Sequence, residues 1–452
     1  MGSLIEDKVG RLSLAGGKAL LAISGGIDSM CLATACKAAG VDFAVAHCNF
    51  HLRGKDSDAD EALVRDWCGQ KGVECFVKDF DTASYAASQG ISIEMAAREQ
   101  RYCWFAELCR DRGFAALVVA HNANDNAETL LLNLLRGTGL KGLCGIQPEA
   151  QGVWGGTEIK ILRPLLDVTR AEIQAYVAEK GVPYRDDATN ADTVYKRNKI
   201  RHKILPVLEE LNPSFLDTLS SDMANFREAN AVLDDWFEFT SMEVISYSAD
   251  AEMDIRIGAL LAAHNWKYFL FRLLNPYGFN RVVVGEICEM LSKTSSPKPG
   301  KMFESAEYCL VTTAGLLKLF KKVEPFSIDV AGEGEYQCGD SMVKVTVEAA
   351  PESAVLPLGT VILDAQSLNF PLKLRSWRDG DWMKPLGMRG CRKKLSDLFV
   401  DLKMSVPEKE RAVLLEYPGE EGRIASIVGL RIDESLKVKA SSSKVIRLTI
   451  VK

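Results

Sequence analysis

Strand-like and helix-like segments alternate across residues 18–121, which predicts an α/β fold whose N-terminal domain is a doubly wound parallel sheet. From Ser214 the pattern changes to apolar residues at helical spacing along Phe215–Phe239, predicting a helical middle domain. From Pro325 it changes again, to the β-branched alternation of Val343–Val347 and Val445–Val451, predicting a mixed β-rich C-terminal domain. The expected divisions are 1–212, 213–324 and 325–452.

Taken in order, Lys18–Ile23 reads as a short buried strand, followed by a glycine turn and a helix over Met30–Ala39. Val41–His47 is a second strand. Asp56–Gly72 is a helix whose acidic first turn suits the positive end of its dipole. Strand Val73–Val77, helix Ile93–Arg112 and strand Ala115–Ala120 continue the series, and strand Ile159–Leu162 with a helix from Thr169 to about Gly181 closes it.

The 452 residues are 47% hydrophobic and 26% charged, which excludes disorder, collagen and coiled coil as global descriptions. No run of eighteen apolar residues occurs, so a membrane span is not expected and a cytoplasmic location is. Twelve cysteines are scattered without any C-x-x-C pair, and Cys31 and Cys36 read as buried helix thiols. A net charge of −6 argues against nonspecific coating of nucleic acid while leaving local basic patches open.

Ser24-Gly25-Gly26-Ile27-Asp28-Ser29 lies between a strand and a helix. Two glycines let the backbone turn sharply against an anion, and the helix N-terminus offers it free N–H groups. The Gly-Lys-Ser/Thr ending of a Walker A loop is missing, and so is the G-x-G-x-x-G of dinucleotide folds. Asp28 would repel phosphate unless a divalent cation bridged them, so ATP with Mg2+ is a natural occupant. Read by itself, the segment also fits a plain glycine-rich turn capped by Ser24 and Asp28.

Ala120–Thr129 follows another strand and, counted along a helix, sets His121, Asp125 and Glu128 at i, i+4 and i+7. An imidazole and two carboxylates on one face suit a phosphate and an amine held side by side; an N-capped helix with acids in its first turn is the plainer alternative. Glu94 and Arg98 stand at i, i+4, the spacing of a surface ion pair. Lys196 to Lys203 contains five basic residues (196, 197, 199, 201 and 203) and no acid, equally a solvated face or a phosphate-binding strip.

In register, SGGIDS, HCNFHLRG, IEMAAREQRY, AHNANDNAETLLLNLLRGTGLKGL, ILRPLL, RNKIRHKILPVLEELNP and the C-terminal DGDWMKPLGMRGCRKKLSDLFVDLKM closely resemble the tRNA(Ile)-lysidine synthetase family, within the PP-loop ATP pyrophosphatases. The resemblance spans most of the chain and is weakest across the helical middle. It implies adenylation of the C2 oxygen of the wobble cytidine in an isoleucine tRNA with a CAU anticodon. Free L-lysine then displaces AMP, giving lysidine and switching codon reading from AUG to AUA. It also implies site roles. Ser24, Gly25, Gly26, Ile27, Asp28 and Ser29 would hold the ATP phosphates, with Asp28 close to Mg2+, and Arg98 would reach the nucleotide. His121 would stabilise charge at the α-phosphate, Asp125 and Glu128 would hold lysine, and Arg197 or Arg201 would approach the adenylated intermediate. Lys196 would face the tRNA, and a homodimer is common among such chains. The family pattern H-x-N-H-G-L-R is altered here to carry Phe50 and His51, so His51 is not assigned to the site.

Residues 373–411 hold eleven Lys/Arg against six acids, a local excess of five in a chain of net −6. Arg392, Lys393 and Lys394 are its densest part and are expected to contact tRNA phosphates away from the anticodon. A cytidine-thiolating enzyme of the same superfamily would need a cysteine pair that is missing, and a noncatalytic ATP-gated tRNA binder would have little use for Asp28 and His121.

Overall fold

The computed structural model describes residues 4–185, 196–249, 251–351 and 356–451. The chain divides into two compact units, Met1–Asp234 and Asp235–Lys452.

The first unit is built on a six-stranded sheet: β1 (Ala19–Ala22), β2 (Phe43–Asn49), β3 (Cys75–Asp79), β4 (Ala116–Val118), β5 (Glu149–Trp154) and β6 (Thr157–Leu162). Strand order is β3-β2-β1-β4-β6-β5, parallel except for the β5–β6 hairpin at the edge. Side chains alternate across each strand. Leu21, Val45 and Val118 therefore face one layer, with α1 (Leu4–Gly10), α2 (Ile27–Ala38), α3 (Lys55–Lys71) and α8 (Arg170–Lys180) contributing Val9, Met30, Trp67 and Ile173. Leu20, Ala44, Leu117 and Ile161 face the other, against Tyr102, Phe105 and Ala106 of α5 (Ile93–Arg112), which α4 (Thr82–Gln89) precedes. A sheet covered on both faces explains why its central strands read as unbroken apolar runs.

After β4 come α6 (Ala123–Arg136) and α7 (Leu140–Leu143). α9 (Lys196–Lys199), a π-helical turn Ile200–Ile204, α10 (Leu205–Leu211) and the long α11 (Phe215–Val244) follow α8. Ile200 and Leu205 pack with Ala127, Phe215 and Leu219 in a small cluster of their own. The edge strand β5 and helix α4 are absent from the sequence expectation. β5 alternates between exposed and half-buried positions and carries few apolar residues, although the Gly155-Gly156 turn behind it, φ +54° and +74°, is a hairpin signal.

The two largest hydrophobic clusters of the second unit, among the described residues, run over Val244–Leu319 and over Val330–Leu448. The first joins helices 257–262, 266–274 and 281–293 to a five-stranded antiparallel sheet, so the middle region is helical with a sheet added. The second is β-rich, as expected: five- and four-stranded antiparallel sheets drawn from residues 327–451. Among the described residues no helix is long and apolar enough to cross a membrane. Cys31 and Cys36 are buried in α2, where burial pushes both thiols up to about 12.

Candidate active site

The sheet order reverses between β1 and β4, and the loops after these two strands open into one crevice, the place where open α/β sheets bind ligands. On the β1 side, Gly25 adopts φ +92°, in the left-handed region that favours glycine. An added Cβ there would lie 3.4 Å from the Cβ and O of Asp60. Helix α2 begins sooner than the sequence indicates, placing Asp28 and Ser29 in its first turn, and Gly26 caps it without a side chain. The Ser29 hydroxyl donates to Gly26 O at 2.9 Å and accepts from Ser24 N–H at 3.2 Å, closing the turn on itself. N–H groups at this end are thus left for an anion.

The HCNFHLRG segment supports this turn from behind. His47 Nδ1 donates to Ile23 O at 2.9 Å, which makes the buried ring a brace for the end of β1. Arg53 and Arg185 both bind Asp60, at 2.7 and 2.9 Å, and Arg185 N–H reaches Gly25 O at 3.1 Å. His51 pairs with Asp79 at 2.8 Å and is half exposed, and it does not line the crevice.

On the β4 side His121 stands before α6, whose cap is Asn122 in a reciprocal capping box with Asp125. This corrects the expectation that His121, Asp125 and Glu128 share one helical face: only the two acids are in the helix, because Asn122 captures its N-terminus. Asn122 also donates through Nδ2 to Asp28 Oδ1 at 3.0 Å, tying the two loops together. Asp28 Oδ2 lies 3.7 Å from Arg170. Burial raises the Asp28 carboxyl above its usual value, Asp125 adds to this, and Arg170 and Asn122 oppose it.

Asp125 and Glu128 are held by Arg197 and Arg201. Both Nε–H groups reach Glu128 at 2.6 Å, and both guanidiniums extend to Asp125 Oδ1, at 3.0 and 3.3 Å. The Glu128 side chain is fully buried, whereas Arg197 is 45% exposed. Lys196 opens α9, and its side chain lies outside the described residues.

A cavity of about 240 Å3 lies between the two loops, lined by Ser24, Gly26, Asp28, Ser29, Arg101, Tyr102 and His121 with an apolar end of Ala22, Phe105 and Val119. The guanidiniums of Arg98 and Arg101 lie over the Tyr102 ring, 5.0 and 5.5 Å from its centroid, so Arg98 engages an aromatic face instead of the surface pair with Glu94. Arg163, just past β6, donates to His121 Nδ1 at 3.3 Å and to Gln147 O at 2.8 Å. Among the described residues, Arg98, Arg101 and Arg163 have no carboxylate partner. Burial, then the positive charges of Arg163, Arg197, Arg101 and Arg98, push the His121 ring down to about 3, so it is neutral at pH 7. Such a site offers cations and a neutral imidazole at one end, an apolar slot at the other, and a paired acidic cluster beside them. It fits a nucleotide polyphosphate.

Asn122, Arg101, Tyr102, Arg163 and Arg170 escaped the sequence reading. Asn122 was legible as the cap before an Asp at N3, and Arg163 as the charge inside ILRPLL at a strand end. Arg392, Lys393 and Lys394 belong to the second unit. There Lys393-Lys394 pair as a short strand with Trp382-Met383, Arg392 lies 4.1 Å over the Trp382 ring, Lys393 pairs with Asp401, and Lys394 is exposed.

Residues 3–208 match the PP-loop domain family, and residues 248–317 match the TilS substrate binding domain. The tRNA(Ile)-lysidine synthase of Parabacteroides distasonis is 37% identical over 94% of this chain and 94% of its own length. This chain belongs to the tRNA(Ile)-lysidine synthase family. The synthases of Bacteroides thetaiotaomicron (36% identical, 96% of this chain and 95% of the relative) and Porphyromonas gingivalis (36%, covering 88% and 86%) are similar throughout. Family membership thus agrees with a PP-loop sheet followed by helical and β-rich regions.

Proposed function

We propose that this chain makes lysidine at the wobble cytidine of a CAU-anticodon isoleucine tRNA, using ATP and free L-lysine. One observation carries the reading: the glycine turn, His121 and the Asp125–Glu128–Arg197–Arg201 cluster converge at the β1/β4 switch point of a family member. Residues 1–212 carry the chemistry in this reading, and 213–324 and 325–452 serve the tRNA. The assembled form is a homodimer, which light scattering tests.

ATP lies with its base toward Phe105 and Val119 and its phosphates against Ser24–Ser29 and the arginines. The cytidine C2 oxygen attacks the α-phosphorus and pyrophosphate leaves. The lysine ε-amine then adds at C2, AMP departs with that oxygen, and the amine loses a proton. Charge builds on phosphoryl oxygens in the first step, so cations and fixed donors lower the barrier. Arg98 and the neutral N–H of His121 supply them.

Asp28 suits the ion that accompanies ATP, because its buried carboxyl, destabilised further by Asp125, gains from added positive charge. Among the described residues no cluster of three His, Cys, Asp or Glu side chains could hold a metal, so phosphate oxygens would complete the shell. Bound there, Mg2+ supplies neutralisation of phosphate charge. The lysine ammonium takes the place at Asp125 and Glu128 that the half-exposed Arg197 fills, and Arg201 stays to balance Glu128.

The test is incorporation of labelled lysine into unmodified tRNA(Ile) with ATP and Mg2+, beside Asp28→Ala. Incorporation that needs ATP and disappears in the variant supports the reading. Pyrophosphate release without incorporation would move the nucleophile elsewhere, and no turnover would leave a binding protein.

A further inference from the structure

Arg163 stands between two cavities. His121, to which it donates, lines the nucleotide crevice, while Arg163 itself lines a second cavity of about 620 Å3 bounded by Lys8, Arg11, Asn126, Asp217 and Arg227. Its backbone N–H is bound to Pro148 O at 2.9 Å and its Nη1 to Gln147 O at 2.8 Å, so both ends of the residue are tethered. A guanidinium has donors only. The imidazole nitrogen it meets, Nδ1, must therefore present a lone pair.

We propose that Arg163 is a positioning residue for adenylation, fixing His121 as the Nε2–H tautomer so that its one N–H is available to the phosphoryl oxygens. This rests on the lysidine-forming reading above. The groups around the ring agree with it. Arg98, Arg101 and Tyr102 come from α5, Arg197 from α9, and Asp28 with Ser24 and Ser29 from the glycine turn and α2. Three of these seven neighbours are cations and Arg163 makes four, which keeps a second proton off the ring. A neutral ring without a partner at Nδ1 would divide between two tautomers, and only one donates from Nε2. Asp28, the only acid among those neighbours, is already bound by Asn122. Arg163 has no carboxylate to satisfy among the described residues, so structural pairing does not account for it.

The chain has five histidines, so 15N-histidine labelling of the full protein gives five rings, and His121→Gln identifies the one at issue. Two-bond proton–nitrogen spectra at pH 7.5 should show His121 with a bare Nδ1 and protonated Nε2. Arg163→Leu should give mixed tautomers, while Arg163→Gln and Arg163→Lys, which keep an N–H donor, should preserve the native one. In tRNA-dependent pyrophosphate release, Arg163→Leu should lower kcat by about 10- to 100-fold, the usual cost of losing an imidazole's orienting partner, with KM for ATP within about threefold. Arg163→Gln or Arg163→Lys should restore most of kcat. An unchanged tautomer in Arg163→Leu overturns the proposal. So does a rise in KM for ATP alone, which would make Arg163 a phosphate-binding group. The spectra need no turnover, so they stand even if lysine incorporation fails and the lysidine reading falls.

Discussion

Arg375 in the second unit is buried and Arg163 in the first is half-buried, and their surroundings are opposite. Arg375, its side chain 2% exposed, makes a two-pronged pair with Asp381 at 2.8 and 2.8 Å and reaches Ser376 O at 2.9 Å. That carboxylate, outweighing burial, holds the guanidinium above its usual range. Arg423 repeats the pattern with Asp433 and Glu420. Arg163 has an imidazole and a carbonyl, and burial with Arg98 beside it lowers its value. A satisfied buried cation belongs to the scaffold; one left without an anion points to a functional site.

The largest effect should come from breaking the satisfied pair. Asp381→Ala strands Arg375 and should cost about 3–5 kcal/mol of stability by urea denaturation, with Arg375→Met/Asp381→Leu recovering most of it. Arg163→Leu should change stability by less than about 1 kcal/mol. Equal losses at the two sites would end the distinction.

Glu128 combines both situations, since it is fully buried and binds two arginines that remain partly exposed. Glu128→Gln should lower kcat/KM for lysine by about 100-fold, or about 2.7 kcal/mol. A change confined to KM for ATP would detach Glu128 from the amine site.

Smaller effects are expected at the basic hairpin. Lys393 already has Asp401, and Arg392 has Trp382, so among the described residues Lys394 is the cation of the three left for RNA phosphate. Lys394→Glu should weaken tRNA binding and reduce the salt slope of its affinity by about 1, with Lys393→Glu doing less and ATP binding unchanged in both. The reverse ranking would place the RNA on the other side of the hairpin.

The sheet was legible because its central strands are buried on both faces, and Leu20–Leu21, Ala44–Val45 and Leu117–Val118 leave no polar alternation to mislead. β5 was not legible, since an edge strand with one half-buried face carries little apolar signal. Ser24–Ser29 and the two acids of α6 could be read because glycine and charge spacing is local. The pairing of Asp125 and Glu128 with Arg197 and Arg201 could not, for those partners lie about seventy residues along the chain. His121 was misplaced for a local reason: a capping Asn at 122 starts the helix two residues later than periodicity alone indicates.

The smallest effect concerns acid. His121 and His47 are both lowered from the ordinary 6.5, each first by burial. Both are neutral in the fold, whereas the unfolded chain takes up a proton on each below about pH 6.5, so the unfolded state binds more protons and stability falls as pH falls. The contribution is full above 6.5 and is lost on going down toward the folded values. Asp28 works the other way, because its raised carboxyl accepts a proton more readily when folded, but only in a window that starts at the ordinary 3.8. Between pH 6.5 and 5.5 His121, held down at about 3, should therefore cost about 1 kcal/mol, and His47, lowered in the same direction, should add a cost of the same sign, read as a shift in the urea midpoint. His47→Gln should remove one ring's share and His121→Gln the other. If Arg163→Leu also removes the share of His121, then that guanidinium holds the ring neutral by charge. If the share persists, burial alone keeps it neutral, and Arg163 acts on the ring only through the hydrogen bond at Nδ1.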